Sequence, residues 1–336
     1  MKILVDAFGG DNAPLEIIKG SLLAKEEYGF DIILCGDESL IKTCARENGI
    51  DISSLAIKHA EGKIPVEADP RSILKKYNDC SMAVGLKALA EGEGDAFVSA
   101  GSTGALVVGA TFIVKRIKGI RRPAIASIMP SDTTPFMLMD CGANVEVTPE
   151  GLHNFGVMAS IFMKKVMGVS DPRVGLLNIG AEENKGTDLY VKANELMRSQ
   201  SDYNFIGNVE SREVPFGAAD VVVADGFTGN IFLKTYEGAA MMVMKNIKAM
   251  YKKNALTKVS ALGVKGGIME LKDKMDYNKL GGAPIMGVQK PVIKAHGSSG
   301  AEAIKNAIHQ AEIYANQGVI EEIANAVAKA PAGEEE

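Results

Sequence analysis

The chain has 336 residues, 46% of them hydrophobic, and a formal net charge of −5, with a sequence pI near 5.6. That length and apolar content build a well-buried core and exclude a disordered chain, and the acidic balance excludes a general nucleic-acid binder, which carries a basic surplus. Four cysteines (Cys35, Cys44, Cys80, Cys141) are scattered without a Cys-x-x-Cys spacing, so neither a zinc site nor a disulfide framework is implied and a reducing cytoplasmic setting suits them.

Met1 to Asp6 meets an acidic side chain after three apolar ones; this is too short for a signal-peptide core and reads as a first strand, Ile3–Val5. Further strands are predicted at Asp31–Cys35, Ala96–Ser99, Pro123–Met129, Phe136–Asp140, Val174–Ile179, Asn204–Val209 and Val221–Ala224, most of them separated by helix-length connections. The alternation predicts an α/β fold with a largely parallel central sheet and flanking helices, whose strands read as continuous apolar runs because both faces are covered. The longest nearly apolar run, Gly104 to Val114, has eleven residues, against the roughly 20 that span a bilayer. From Ser298 the chain reads as a long helical C-terminus with Ile304, Ala307, Ile308 and Ala311 on one face, and residues 331–336 as a frayed, disordered tail.

Ligands of such sheets sit beyond the carboxyl ends of the strands. Polar, glycine-rich clusters occur at those places: Asp6–Asp11, Ser99–Gly104, Asp140–Asn144, Gly180–Gly186 and Asp225–Asn230. They predict one convergent site, although glycine-rich turns are also what any parallel sheet needs. The Ser99–Gly104 stretch is the most informative of them. Gly101 and Gly104 allow a tight turn and close backbone approach, and Ser99, Ser102 and Thr103 add hydroxyls beside the unpaired N–H groups of a helix start, which makes either an anion cradle or a plain helix cap.

Lys185 projects from a loop between a strand and a helix, where it either neutralises phosphate or is a solvated surface lysine. Asn230, read as beginning a helix with its amide toward the preceding turn, is either an oxyanion donor or a cap. His296 follows the apolar Pro291–Ile293 and enters a helix whose start would favour the neutral ring; as a lone histidine it reads equally as structural. There is no Gly-x-x-x-x-Gly-Lys-Ser/Thr, His-Glu-x-x-His or Gly-x-Ser-x-Gly, and no Gly-x-Gly-x-x-Gly after the first strand, so nucleotide-loop and serine-hydrolase chemistry lose support. One segment departs from the acidic average: Lys245–Lys274 holds eight lysines against Glu270 and Asp273. Interleaved Leu256, Val259, Leu262, Val264 and Ile268 make it an amphipathic pair of segments, expected to hinge around Gly263, Gly266 and Gly267. It suits an anionic membrane surface, an acidic protein, or packing on its own or a second subunit.

Taken in order, Val5–Asp11, Ser99–Ala105, Asp140–Asn144, Leu176–Gly180, Lys185-Gly186, Asp225–Asn230, Lys274–Tyr277, Gly281–Ala283 and Lys294–Ser299 resemble the bacterial phosphate acyltransferases of the PlsX type over nearly the whole chain. Phe8, Asn12, Ser102 and Cys141 stand where that family commonly has Met, His, Asn and Val. The resemblance implies an isocitrate/isopropylmalate dehydrogenase-like fold in which residues 1–330 form a single two-lobed catalytic unit with the 240–276 hairpin inserted. It also implies a homodimer in the cytoplasm, peripherally associated with the membrane. The implied activity moves a long-chain acyl group from acyl carrier protein to inorganic phosphate, giving an acyl phosphate for a downstream membrane acyltransferase of phospholipid synthesis. No metal and no cofactor are expected.

On that resemblance Lys185, Asn230 and His296 are expected to be catalytic. Gly9, Gly10, Asp11, Ser99, Gly101, Ser102, Thr103, Gly104, Asn144 and Asp225 would bind phosphate and the acyl thioester. Phosphate is already an anionic nucleophile at neutral pH and the leaving thiol has a pKa of about 8.5, so neither strong base nor acid is needed and no covalent acyl-enzyme is expected. Two other classes remain at this point, a metal- and nucleotide-dependent decarboxylating dehydrogenase and a non-catalytic membrane-associated scaffold.

Overall fold

The computed structural model describes residues 1–274 and 281–329; the predicted tail 331–336 and the Met275–Tyr277 part of the motif above lie outside the described residues. The chain opens as β1 (Lys2–Asp6), α1 (Leu15–Tyr28), β2 (Asp31–Gly36), α2 (Glu38–Glu47), β3 (Ala56–His59), α3 (Ser81–Ala90), β4 (Ala96–Ser99) and α4 (Thr103–Gly109), which continues as a π-helical turn, Ala110–Lys115. Next come β5 (Ala124–Met129), β6 (Phe136–Met139), α5 (Pro149–Lys165), β7 (Arg173–Asn178), α6 (Asp188–Ser199), β8 (Asn204–Glu210) and β9 (Val221–Val223). The helices α7 (Gly226–Lys252) and α8 (Ala255–Lys274) precede β10 (Ala283–Met286), β11 (Val292–Lys294), α9 (Ala301–Asn316) and α10 (Val319–Lys329).

Among the described residues the strands form one sheet of eleven in the order β3-β2-β1-β4-β11-β10-β5-β6-β9-β7-β8. Neighbours from β3 to β11 are parallel, and so are β6, β9, β7 and β8. Between these halves β10 and β5 pair antiparallel with their neighbours, which makes the two halves run in opposite senses. The sheet is largely parallel as the sequence predicts, and each predicted strand lies on an observed one. The unpredicted strands are β3, β10 and β11. β3 is four residues with no buried side chain, and β11, three residues long, stands beyond a helical region rather than in the alternating pattern.

The sheet separates two cores. Ile3, Val5, Val98, Met137, Met139, Val174, Leu176, Val221 and Val223 face one, and the intervening Leu4, Phe97, Phe136, Leu138, Leu177 and Val222 face the other, the period-two alternation of strands covered on both sides. Helix packing is close on each face. A Cβ at Gly20 of α1 would lie 2.5 Å from the Ala301 carbonyl oxygen at the start of α9, and one at Gly85 of α3 would lie 2.2 Å from the Phe97 ring. Ile304, Ala307, Ile308 and Ala311 are buried on the inner face of α9 as expected. The C-terminal helix is broken, however, at Gly318, whose φ of +66° suits glycine and ends one helix before the next begins.

The lysine-rich hairpin begins earlier than predicted, with α7 at Gly226, and turns at Lys253 and Asn254. Asn254 Oδ1 accepts from Thr257 N and Thr257 Oγ1 accepts from Asn254 N, a reciprocal cap that starts α8 there. Gly263, Gly266 and Gly267 lie inside α8, so the expected hinge is helix, glycine costing about 1 kcal/mol per residue there rather than breaking it. At the sheet's margins, Lys58 of β3 pairs with Glu93 at 2.6 Å. β8 bulges at Ile206, where the register with β7 shifts.

Phe97→Ala removes a fully buried ring that sits over Gly85 and is expected to cost about 3–5 kcal/mol in chemical denaturation; a loss below about 1 kcal/mol would mean that the α3 face repacks freely.

Candidate active site

Hydrogen bonds join the strand-end clusters into two groups, one around the ends of β1, β4 and β11 and one around the ends of β6, β9 and β7, whose strands run in the opposite sense. In the first group the loop after β1 packs on the loops after β4 and β11. Asp11 N donates to Gly297 O at 2.8 Å, Asn12 Nδ2 donates to Ser298 O at 3.1 Å, and Ser99 Oγ donates to Asp6 Oδ2 at 2.6 Å. Ser99 Oγ in turn accepts from Gly101 N at 3.0 Å. The Ser99 hydroxyl and the Gly101 N–H, both expected to grip an anion, are therefore engaged inside the protein.

The glycines of this group are also explained by its own packing. A Cβ at Gly9 would lie 2.6 Å from Asp6 Oδ2 and from Gly101 N, and one at Gly10, which has φ +97°, 2.9 Å from Gly297 O; at Gly104 the neighbour is Pro70 at 2.7 Å. Ser102, at the N-cap of α4, is buried, and its side chain makes no capping bond; Thr103 is exposed. The Thr103 hydroxyl and the first N–H groups of α4 are thus the polar elements of the cradle nearest solvent, with Ser102 buried beside them.

Behind them stand two groups that sequence reasoning did not single out. Asp6 is buried, and burial pushes its carboxyl above the usual range against the hydrogen bonds from Ser81, Ser99, Phe8 N and Gly9 N. Lys294, at the end of β11, reaches the carbonyl oxygens of Ala100 and Ala295. Burial brings its ammonium down to about 8, opposed by the charges of Asp6 and Asp11. His296 does not lie on the helix: it precedes the first residue of α9, Ala301, by five positions and is exposed. Its Nδ1 accepts from Ser298 N at 3.2 Å.

The second group is built on Asp140. Its Oδ1 accepts from the N–H groups of Ile125, Gly142 and Ala143 and its Oδ2 from Asn144 N and Nδ2, all between 2.7 and 3.1 Å. Burial raises the carboxyl above its ordinary value, and these donors work in the opposite direction. Asn144 Nδ2 also donates to Pro123 O at 2.8 Å, and its carbonyl accepts from Gly226 N at 2.7 Å, which ties the loop to the start of α7. There Asp225 is the helix cap, accepting from Phe227 N and Thr228 N at 2.9 Å and from Tyr190 Oη at 2.6 Å. Burial alone would raise its carboxyl, and the donors, Tyr190 first, hold it below the usual value.

Asn230 is therefore not the first residue of its helix but lies four beyond Gly226. Its side chain stands over Gly142, where an added Cβ would be 3.5 Å from Asn230 Cβ and Cγ. Lys185 is exposed in the loop after β7, its Nζ 4.0 Å from Glu182 Oε1. Its carbonyl accepts from Asn178 Nδ2 at 3.0 Å, and the adjacent Gly186 packs on Tyr190. The Tyr190–Asp225 bond thus links the Lys185 loop to the helix that carries Asn230. Cys141 in the same loop is buried with its thiol pushed well up by that burial, the state of an unreactive cysteine.

Residues 1–322 match the sequence profile of the family described as fatty acid synthesis protein. A phosphate acyltransferase from Acetivibrio thermocellus is 46% identical over 96% of this chain and 95% of its own length. The chain belongs to the phosphate acyltransferase family. It is an acyltransferase, which sets aside the dehydrogenase and scaffold readings. Another member, from Clostridioides difficile, is 43% identical over 98% of this chain and 97% of its own. Among solved structures, a phosphotransacetylase from Streptococcus pyogenes superposes with a TM-score of 0.60 at 18% identity, over 98% of this chain and 94% of that one. A putative 4-hydroxythreonine-4-phosphate dehydrogenase from Salmonella typhimurium superposes with a TM-score of 0.53 at 15% identity, over 93% and 98%. At those identities the likeness is one of fold, the isocitrate/isopropylmalate dehydrogenase-like architecture expected for this phosphate acyltransferase family member.

Of the two residues that the sequence did not flag, Lys294 makes a clear pH prediction. Between about 8 in the folded chain and the ordinary 10.5, the unfolded chain binds the additional proton, so stability rises as pH climbs through that window. Denaturation midpoints followed from pH 8 to 10.5 are expected to lose this upward slope in Lys294→Met, and an identical slope in both proteins would remove Lys294 as its cause.

Proposed function

We propose that this acyltransferase moves a long-chain fatty acyl group from an acyl-carrier-protein thioester to inorganic phosphate by direct attack, releasing acyl phosphate for phospholipid synthesis. The observation that carries this reading is the identity of 43–46% with phosphate acyltransferases along nearly the full chain. The side chains supply what the chemistry asks for. Phosphate brings its own negative charge to the thioester carbonyl, so the protein has to gather anions, align them and stabilise the tetrahedral oxyanion.

In this reading the hydroxyls of Ser102 and Thr103 and the first N–H groups of α4 bind phosphate, with the Lys294 ammonium behind them. Gly9, Gly10, Gly101 and Gly104 serve by allowing the loops to close. Lys185 adds positive charge, and its neighbour Glu182 at 4.0 Å tempers that charge until an anion displaces it. The Asn230 amide, held over Gly142, donates to the oxyanion, and the His296 ring is a second donor. Asp225 and Asn144 position Asn230 through α7 rather than touching substrate, and Asp11 orders the Gly297 loop. Ser99, bonded to Asp6, and Cys141, a buried thiol, are both unsuited to carrying an acyl group, in keeping with direct transfer.

The α7–α8 hairpin is assigned to the membrane that receives the product, with the chain acting as a homodimer attached at that surface. Phe227, Ile231, Met241, Met242, Val243, Met250, Val264 and Met269 are exposed along it, beside the lysines already noted, an apolar and basic combination that favours anionic lipid. Ile268 is half-buried, and the side chains of Leu256, Val259 and Leu262 lie outside the described residues. No helix among the described residues is long and apolar enough to cross a membrane.

Thiol release from a long-chain acyl-carrier thioester is expected to depend on inorganic phosphate, and Lys185→Ala and Asn230→Ala are each expected to lower it about 100-fold with unchanged thermal unfolding; release without phosphate, or unimpaired variants, would defeat the reading. In a flotation assay with vesicles rich in phosphatidylglycerol, Leu262→Asp/Val264→Asp is expected to leave the vesicles while keeping soluble turnover, and continued flotation would remove the hairpin from the membrane.

A further inference from the structure

A cleft of about 920 Å³ opens between the Asp69–Lys76 turn and the Val107–Arg122 segment, and its wall also includes Pro123, Ala143 and Asn144. Six cationic side chains line it: Arg71, Lys75, Lys76, Arg116, Arg121 and Arg122. The one acid in the lining, Asp69, already accepts from Arg71 N. This concentration of positive charge stands on a chain whose net charge is −5. Among the described residues none of the six enters an ion pair, so their mutual repulsion is left for a ligand to relieve.

The remaining lining is apolar, from Leu74, Val107, Val108 and Phe112, and the Phe112 ring is 61% exposed. Asn144 belongs to the Asp140 loop that stands under Asn230, so the cleft adjoins the candidate site, and α4, which contributes Val107 and Val108, grows out of the Ser102–Thr103 cradle. A ligand that fits carries a phosphate for the cationic side chains and an apolar stretch for Leu74, Val107, Val108 and Phe112. A concave wall of this kind does not match the flat surface of a bilayer, and Phe112 alone is no stacking platform for nucleic acid.

We propose that this cleft binds the phosphorylated pantetheine arm of the acyl donor, with its phosphate among the six cationic side chains and its acyl end leaving toward the loop that stands under Asn230. This assignment rests on the thioester-to-phosphate reading above and adds the donor subsite to it. The same arm is presented by a carrier-protein thioester and by a coenzyme A thioester, so the donors themselves serve as experimental arms.

The test uses the full chain with two double variants, Arg121→Ala/Arg122→Ala and Lys75→Ala/Lys76→Ala. All four side chains are exposed, and the Arg121 carbonyl that accepts from Arg116 is retained. For each protein, kcat/KM is measured with acyl-carrier protein, acyl-coenzyme A and acyl-pantetheine lacking the phosphate. The preference for phosphorylated over unphosphorylated donor is expected to fall at least about tenfold in both variants, as for lost charge-assisted contacts, with unfolding temperature and the KM for inorganic phosphate unchanged. A fall confined to the carrier thioester or to the coenzyme A thioester supports the subsite and identifies its source.

An unchanged preference for both phosphorylated donors overturns the proposal. So does loss of anionic-vesicle binding without any change in donor preference, which would reassign the cleft to lipid headgroups. Calorimetric titration with phosphopantetheine against pantetheine separates this from failure of the reaction assignment. If the unaltered chain binds the phosphorylated compound and the variants do not, yet thiol release is absent, the subsite stands and the reaction falls.

Discussion

The carboxylate of Asp140, ringed by five N–H groups, is the constraint on which the rest of the candidate site depends. It folds Asp140–Asn144 into a compact loop, and the loop then distributes its own polar groups outward, Asn144 Nδ2 to the backbone before β5 and Asn144 O to the first residue of α7. The approach is close enough that a Cβ at Gly229 would lie 1.9 Å from the Asp140 carbonyl oxygen. A buried carboxylate is costly unless it is fully hydrogen-bonded, and here satisfying it is the same act as fixing α7 against the sheet. Asn230 inherits its position from that arrangement.

A second constraint is topological. Two parallel half-sheets joined through antiparallel β10 and β5 provide two sets of strand ends, each with its own buried aspartate, Asp6 in one and Asp140 in the other. In both, hydroxyl and N–H groups that would otherwise serve a ligand are turned inward to satisfy the carboxylate. The polar side chains that remain exposed beside these loops include Thr103 and Lys185. Such donors suit a reaction whose nucleophile arrives charged and whose leaving group needs little help.

Much of the fold was legible because the strands are covered on both faces, so that Phe136–Met139, Val174–Leu177 and Val221–Val223 read as apolar runs whatever their neighbours. β3 was not legible because its side chains are nowhere fully buried, and β10 was hidden behind Gly281 and Gly282 without the alternation that marks the earlier units. At the candidate site, the glycine-rich strand ends read as ligand loops, while the structure gives some of these glycines a packing reason as well: Gly9 and Gly101 are small because Asp6, Ser99 and Met82 occupy the space, a long-range fact. Lys294 and Asp140 looked unexceptional in sequence because burial and hydrogen bonding, not neighbours in the chain, set their protonation. The hairpin was found from its lysines, but its turn was not, since three glycines in α8 outweighed the quieter Asn254–Thr257 cap.

Wide open sheets leave two rows of unpaired backbone groups, which invite other chains to add strands and aggregate. Both margins are blunted here. β3 is brief and polar, with Lys58 locked to Glu93 beside it, and β8 carries the bulge at Ile206 and a glycine at 207 with φ +93°, which twists the ladder away from a straight template. The eleven-stranded sheet thus ends at both margins without offering a straight edge for a further strand.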